Sequence, residues 1–167
     1  MSAPNRPSTS NVSTRRHPVQ WASLAVGAVF LLVGVLGFVP GVTSNFDQLT
    51  FAGHESNAAL LGIFGVSILH NVVHLLFGIA GVAMARSITG ARAFLIGGGV
   101  IYLVLFLYGL FIDHDSAANF VPVNVADNWL HLVLSVGMIG LGVVLTRDTE
   151  TARTARDSGG ETPGIVN

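Results

Sequence analysis

The chain has 167 residues, of which 51% are apolar and only 10% charged, with a formal net charge of -1. Soluble domains carry roughly a quarter charged residues, so this composition excludes an ordinary water-soluble domain, and the lack of any basic excess argues against nucleic acid as a partner. Cysteine is absent, which excludes disulfides, thiolate metal sites and thiol redox chemistry intrinsic to the chain.

Residues 1–18, rich in Ser, Thr, Asn and Pro, are expected to be a disordered cytoplasmic tail. Arg15 and Arg16 precede an apolar run, Val19–Val39, of about 21 residues, longer than the roughly 7–15 residues of a signal-peptide core. It is read as an uncleaved first span over 19–39, stopped by Pro40-Gly41. A loop with Asn45, Asp47, His54 and Glu55 follows. The next apolar stretch, Ala58–Ala85, is too long for one untilted helix across a core of about 30 Å. Counting back from Arg86 places span two at 66–85, with 58–65 as an outer interfacial segment, a short helix or re-entrant piece. One long tilted helix is the alternative. Arg86–Arg92 is a tight inner turn, and span three covers 93–112, ending at Asp113-His114-Asp115. Span four covers 127–146, and 148–167 is expected to be a second disordered cytoplasmic tail.

Every cation is an arginine. Arg6, Arg15 and Arg16 precede span one, Arg86 and Arg92 flank the middle turn, and Arg147, Arg153 and Arg156 follow span four. The other two connections have no Arg but hold Asp47, Glu55, Asp113, Asp115 and Asp127. Short basic loops stay cytoplasmic. The pattern therefore predicts an all-α, integral membrane four-helix bundle in the cell inner (cytoplasmic) membrane, with both termini inside and residues 19–147 as the transmembrane domain. Trp21 and Trp129 fall near the inner and outer boundaries, where indole rings anchor.

Polar groups in hydrocarbon are expensive and mark sites worth explaining. Span two reads HNVVHLL from His70, and span four reads DNWLHLV from Asp127. The shared Asn-x-x-His-Leu pattern, in spans running the same way, suggests two parallel helix-hairpin repeats. His70 and His131 each stand 16 positions before an arginine, Arg86 and Arg147, so both lie about 24 Å above the inner boundary. Helical spacing places Ser67, His70, Asn71, His74, Gly78, Gly81 and Ala85 on one face of span two, and Asn128, His131, Ser135 and Gly142 on one face of span four. Gly27 and Gly34 in span one, and Gly98, Tyr102, Gly109 and Asp113 in span three, form similar stripes. Small and polar residues of this kind pack helix on helix in membranes.

The candidate site is thus a polar intramembrane cluster of His70, Asn71, His74, Asp113, Asp127, Asn128 and His131. Four readings stay open. The side chains are interhelical hydrogen-bond glue, or they line an outer-leaflet pocket for a small ligand or a proton. Alternatively, His70, His74 and His131 hold a transition metal, with Asp113 or Asp127 as a further ligand. Last, His70 and His131 ligate a haem from both sides. The His-x-x-x-His spacing supports a metal only weakly, so no cofactor is the default expectation. Gly97-Gly98-Gly99 lacks a following phosphate-binding turn and reads as close helix packing. His17 belongs to the basic tail, and His54, Glu55, His114 and Asp115 read as solvated loop residues. No Ser/His/Asp constellation and no paired carboxylates on one helix face are present, so no catalytic residue is assigned and an enzyme is not expected. The expected role is a structural or accessory subunit whose partners are the lipid bilayer and either its own copies or other membrane proteins. The alternative is the ligand, metal or proton pocket, with a transport or redox-accessory role.

The stretches LLGIFGVSILHNVVHLLFGIAG and NVADNWLHLVLSVGMIGLG resemble the bacterial four-helix membrane family catalogued as domain of unknown function 4383, over about Val19–Arg147. HNxxHLLFGxxG is the more specific part. The resemblance implies a four-helix integral membrane protein and no particular activity. A looser likeness, of architecture only, links the chain to the DoxX-like group of small four-helix membrane proteins, some tied to thiol or quinone redox systems. Without cysteine this chain could only assist such a system.

Overall fold

The computed structural model describes residues 15–158, and the backbone alone for 148–158. The described part is mostly helical: α1 (Pro18–Leu36), α2 (Ile68–Met84), α3 (Ile88–Phe111) and α4 (Val125–Ser158). Between α1 and α2 lie three two-residue strands, β1 (Thr43–Ser44), β2 (Ala59–Leu60) and β3 (Phe64–Gly65), paired antiparallel in that order. Three helical stretches, α1, α3 and Val125–Arg147 of α4, are long and apolar enough to cross a membrane, with mean hydropathies of 2.1, 2.3 and 2.0. α2 is apolar but has only 17 residues, at the lower limit of about 17 for a span.

Local chemistry sets the helix boundaries. His17 caps α1 with Gln20 in a reciprocal pair: the His17 N–H donates to Gln20 Oε1 at 2.8 Å, and His17 Nδ1 accepts from Val19 N at 3.4 Å. α1 stops at Leu36, earlier than the expected Val39, because the chain turns at Gly37 to leave the helix. α3 begins at Ile88 rather than at 93, since the Ser87 hydroxyl accepts from Gly90 N at 3.0 Å and caps it. Arg92 therefore lies inside α3, not in the turn before it. α4 runs on to Ser158, which corrects the expected disorder over 148–158. That stretch holds Ala, Arg and Glu, good helix formers, and meets no glycine until Gly159. The expected tails over 1–14 and 159–167 lie outside the described residues.

The helices pack as antiparallel pairs. At one end of the first pair Ser23 Oγ donates to Gly81 O at 2.8 Å, and Gln20 Nε2 donates to Ala85 O at 2.9 Å. At its other end Gly37 meets Asn71. In the second pair Gly109 of α3 meets Asn128 of α4, and Leu95 and Ile96 meet Gly142. α1 touches α3 through Phe30 and Tyr102, whose rings stack at 5.5 Å and 18°. With this connectivity Arg15, Arg16, Arg86 and Arg147 gather at one end of the helices, and the acidic loops at the other. The small and polar stripes are the buried faces, whereas Val29, Leu32, Leu76, Ile79, Val104 and Val133 are each more than half exposed. Apolar outside and small-polar inside is the distribution a bilayer demands, and it marks a membrane protein.

The segment 58–65 is a β-hairpin, not the expected short helix, and α2 does not extend back through it. A short apolar run carries no period that separates strand from helix. Here Leu61 and Gly62 take positive φ, 55° and 71°, the left-handed pair that tight hairpin turns use. Side chains satisfy the remaining backbone groups: Ser44 Oγ donates to Ala59 O at 2.9 Å, Ser56 Oγ to Val66 O at 2.6 Å, and Asn124 Nδ2 to Ile63 O at 2.8 Å. Ala58, Leu60 and Val66 are buried beneath the hairpin against Val33 and Leu36 of α1. The sheet thereby roofs the ends of the helices.

Candidate functional site

The site lies where α2 and α4 begin, under this roof. Ser67 starts α2: its hydroxyl accepts from His70 N at 3.2 Å. Thr50 O and Phe51 O take the N–H groups of Ile68 and Leu69 at 3.0 and 2.9 Å. α4 begins with a reciprocal pair. Asn124 Oδ1 accepts from Asp127 N at 3.0 Å, and Asp127 Oδ2 accepts from Asn124 N at 3.0 Å. The same oxygen accepts from Gly65 N at 2.9 Å, so Asp127 both caps α4 and ties β3 to it.

One helical turn apart on α2, the His70 and His74 rings stack with centroids 4.3 Å apart and planes 9° from parallel. His74 Nδ1 lies 3.0 Å from His70 O. A carbonyl can only accept, so the hydrogen sits on Nδ1 and the neutral ring offers Nε2 as an acceptor. His131 approaches from α4 with its ring 5.3 Å from that of Tyr102, while His74 lies 5.4 Å from Phe30. Phe30, Tyr102 and Phe77 thus form an aromatic floor below the imidazoles.

Two cavities flank the imidazole layer, and His70, His74 and His131 line both. One, of about 120 Å³, lies between α1 and α4 under the sheet and includes Val33, Phe64, Asp127 and Leu130. The other, of about 170 Å³, lies between α2 and α3 under Phe120 and Val121. His70 is 8% exposed and His131 4%, and neither ring's Nδ1 has a hydrogen-bond partner.

A family model described as Domain of unknown function (DUF4383) matches residues 20–144. The chain belongs to the DUF4383 family. No curated protein and no solved structure matches, and the looser likeness to the DoxX-like group is not shown by these comparisons.

In this DUF4383 protein the expected cluster separates into three parts. His70, His74, Asp127 and His131 come together around the first cavity. Asn71 and Asn128 do not line either cavity: each is buried against a glycine, Gly37 and Gly109 respectively, where a Cβ would overlap the amide group. Their Oδ1 atoms have no hydrogen-bond donor. Each instead faces the Cα–H that glycine presents in the Cβ direction, a weak acceptor contact. Asp113 is exposed in the α3–α4 loop, its Oδ1 accepting from Asp115 N at 3.1 Å. It takes no part in the cluster.

The same geometry gives the metal reading no support. Among the described residues no group of three or more His, Asp or Glu is placed to hold a metal ion. Rings stacked in parallel, as those of His70 and His74 are, do not aim their nitrogens at one point, and His74 Nδ1 is already engaged. Haem does not fit either. Pockets for drug-sized ligands run to about 300–1,000 Å³, and both cavities here are far smaller.

Two hydrogen bonds that join α1 to α2 come from residues that the sequence reading passed over, Gln20 and Ser23. A polar side chain inside a span is itself the signal that finds Ser23. Asn119 was also missed. Buried at 4% exposure, it donates to His114 O and Val123 O at 3.0 and 3.1 Å and accepts from Val123 N at 3.0 Å, which shapes the α3–α4 loop. Nothing in a loop sequence distinguishes such an asparagine from a solvated one.

Proposed function

We propose that this DUF4383 protein is an inner-membrane, four-helix bundle of two parallel helix hairpins with both termini cytoplasmic, and that it holds a small hydrogen-bonding molecule in an outer-leaflet chamber at His70, His74 and His131. The observation that carries the reading is the layer of His70, His74 and His131 that lines two cavities, in which the buried Nδ1 atoms of His70 and His131 have no protein partner among the described residues. Leaving a buried polar group unpaired costs about 1–3 kcal/mol. Two such groups on residues that line one chamber are accounted for by a bound partner better than by packing. Helix-to-helix hydrogen bonding is supplied elsewhere, by Gln20 and Ser23. The arginine distribution supports the orientation.

Native mass spectrometry of the full chain, released from its own membranes in mild detergent, tests the proposal. The expected result is a copurifying small molecule that His131→Gln removes without lowering expression, since an amide can pack in place of imidazole but lacks its basicity. A bare wild-type mass, with imidazole ¹⁵N resonances unmoved by extract of the native membrane, would overturn it. A copurifying protein subunit in place of a small molecule would favour the accessory-subunit role instead.

A further inference from the structure

The two cavities are lined by equivalent positions of an internal repeat. Advancing 72 positions carries α1 onto α3, and advancing 57 carries α2 onto α4. Phe30 and His74 then become Tyr102 and His131, and the two ring pairs share one geometry: 5.4 Å and 55° against 5.3 Å and 56°. A Cβ at Gly27 would lie 2.9 Å from Val82 N and 3.0 Å from Gly78 O. At the equivalent Gly99 it would lie 3.0 Å from both Ile139 N and Ser135 O, which are the equivalent atoms. Ser67 caps His70 N as Asn124 caps Asp127 N. Phe30 stacks on its own counterpart, Tyr102, as residues beside a two-fold axis do. Under the same relation Val33 and Leu130 of the α1/α4 cavity correspond to Leu105 and Val73 of the α2/α3 cavity. One polar position breaks the equivalence. Asp127 lines the α1/α4 cavity, and its counterpart in the first hairpin is His70.

The polar groups of the α1/α4 cavity are acceptors in excess. Asp127 lines the cavity; its Oδ2 is engaged by Gly65 N and Asn124 N, which leaves Oδ1 without a protein donor among the described residues. His74 offers Nε2, because its Nδ1 hydrogen is spent on His70 O. Among the described residues no arginine lines the cavity. A carboxylate and an imidazole acceptor in a low-dielectric wall call for a ligand with several donors and a positive charge, and an ammonium group has three donors. Val33, Leu60, Phe64 and Leu134 complete the lining with apolar surface, suited to a short alkyl body. At about 120 Å³ the space is smaller than the roughly 150 Å³ that admits benzene, which limits the ligand to a few carbons.

We infer that the α1/α4 cavity binds a short primary amine in its ammonium form, between Asp127 and the imidazole layer, and that the equivalent α2/α3 cavity does not. The inference rests on the reading of the imidazole layer as a ligand chamber. The test is a titration of the full-length protein in lipid nanodiscs with propylammonium chloride and, separately, 1-propanol, followed by imidazole ¹⁵N shifts. Propylammonium should saturate, and bind about tenfold or more tightly than 1-propanol, given the strength of charge-assisted hydrogen bonds. Asp127→Asn keeps an acceptor for Gly65 N and Asn124 N and should erase that preference. Leu130→Phe, which fills the α1/α4 cavity, should abolish propylammonium binding, whereas Val73→Phe, at the equivalent position of the other cavity, should not. Binding that survives Leu130→Phe and disappears in Val73→Phe would place the ligand in the wrong cavity and overturn the inference, while the chamber itself would stand. Equal binding of the two probes, or no saturable response to either, would overturn the amine assignment. The chamber would then be judged on its copurifying molecule alone.

Discussion

Asn71 and Asn128 show how a polar residue in a span can serve packing without an interhelical hydrogen bond. Each amide rests on a glycine of the paired segment, Gly37 at the C-cap of α1 or Gly109 in α3, and a Cβ there would overlap it. Helix interiors tolerate little overpacking, so Gly37→Ala and Gly109→Ala should each destabilise the protein by about 1–3 kcal/mol. Gly97→Ala makes the internal control. A Cβ there meets nothing within 4 Å, and the exchange should be neutral or stabilise by up to about 1 kcal/mol through helix propensity. Thermal unfolding of the detergent-solubilised variants measures all three. Equal loss at Gly37, Gly109 and Gly97 would show that the packing contact is not what matters. The imidazoles differ in that His70, His74 and His131 line cavities, which Asn71 and Asn128 do not.

Among the elements, the hairpin roof is the part that only the folded chain reveals. It makes up for the shortness of α2, which has 17 residues, by covering the first turns of α2 and α4 with backbone whose hydrogen bonds are internally satisfied. Backbone near the membrane core persists only under that condition. Its weak point is Leu61, which holds φ at 55°, a left-handed conformation that costs an ordinary residue roughly 1–2 kcal/mol. Leu61 is 62% exposed, so little apolar burial is lost on exchange. Leu61→Asn should therefore stabilise the hairpin by about 1 kcal/mol, seen as slower hydrogen exchange at Ile63 N, which donates to Leu60 O across the turn. Faster exchange would mean that the leucine side chain contributes more than the turn strain costs.

At the scale of the whole molecule the arginines and the helix directions agree. The antiparallel pairing of α1 with α2 and of α3 with α4 brings Arg15, Arg16, Arg86 and Arg147 to one end, which in the proposed topology is the cytoplasmic one. Reporter fusions at Arg15, Gln48, Ser87, Asn119 and Arg153 should therefore read inside, outside, inside, outside, inside. A Ser87 fusion that reports outside would break the four-span topology, because α2 would then not cross.

The sequence alone determined the number of apolar elements and the faces that pack. Both follow from local, additive signals: runs of apolar residues, and the 3.6-residue period that groups Ser67, His70, Asn71 and His74 on one side. It also marked the likeness of HNVVHLL to DNWLHLV, which the equivalent contacts of Gly27 with Gly99 and of His74 with His131 support. The partition of the polar residues was decided only in three dimensions. Whether an asparagine meets a glycine or a cavity, or a leucine run forms strand or helix, depends on which atoms of distant segments lie opposite. Asp127 illustrates the point: its carboxyl group is positioned by Gly65, 62 residues away in the chain, and no local pattern encodes that partner. The same holds for the imidazoles, whose depth could be counted along each helix but whose shared cavities are completed by residues of α1, α3, α4 and the hairpin.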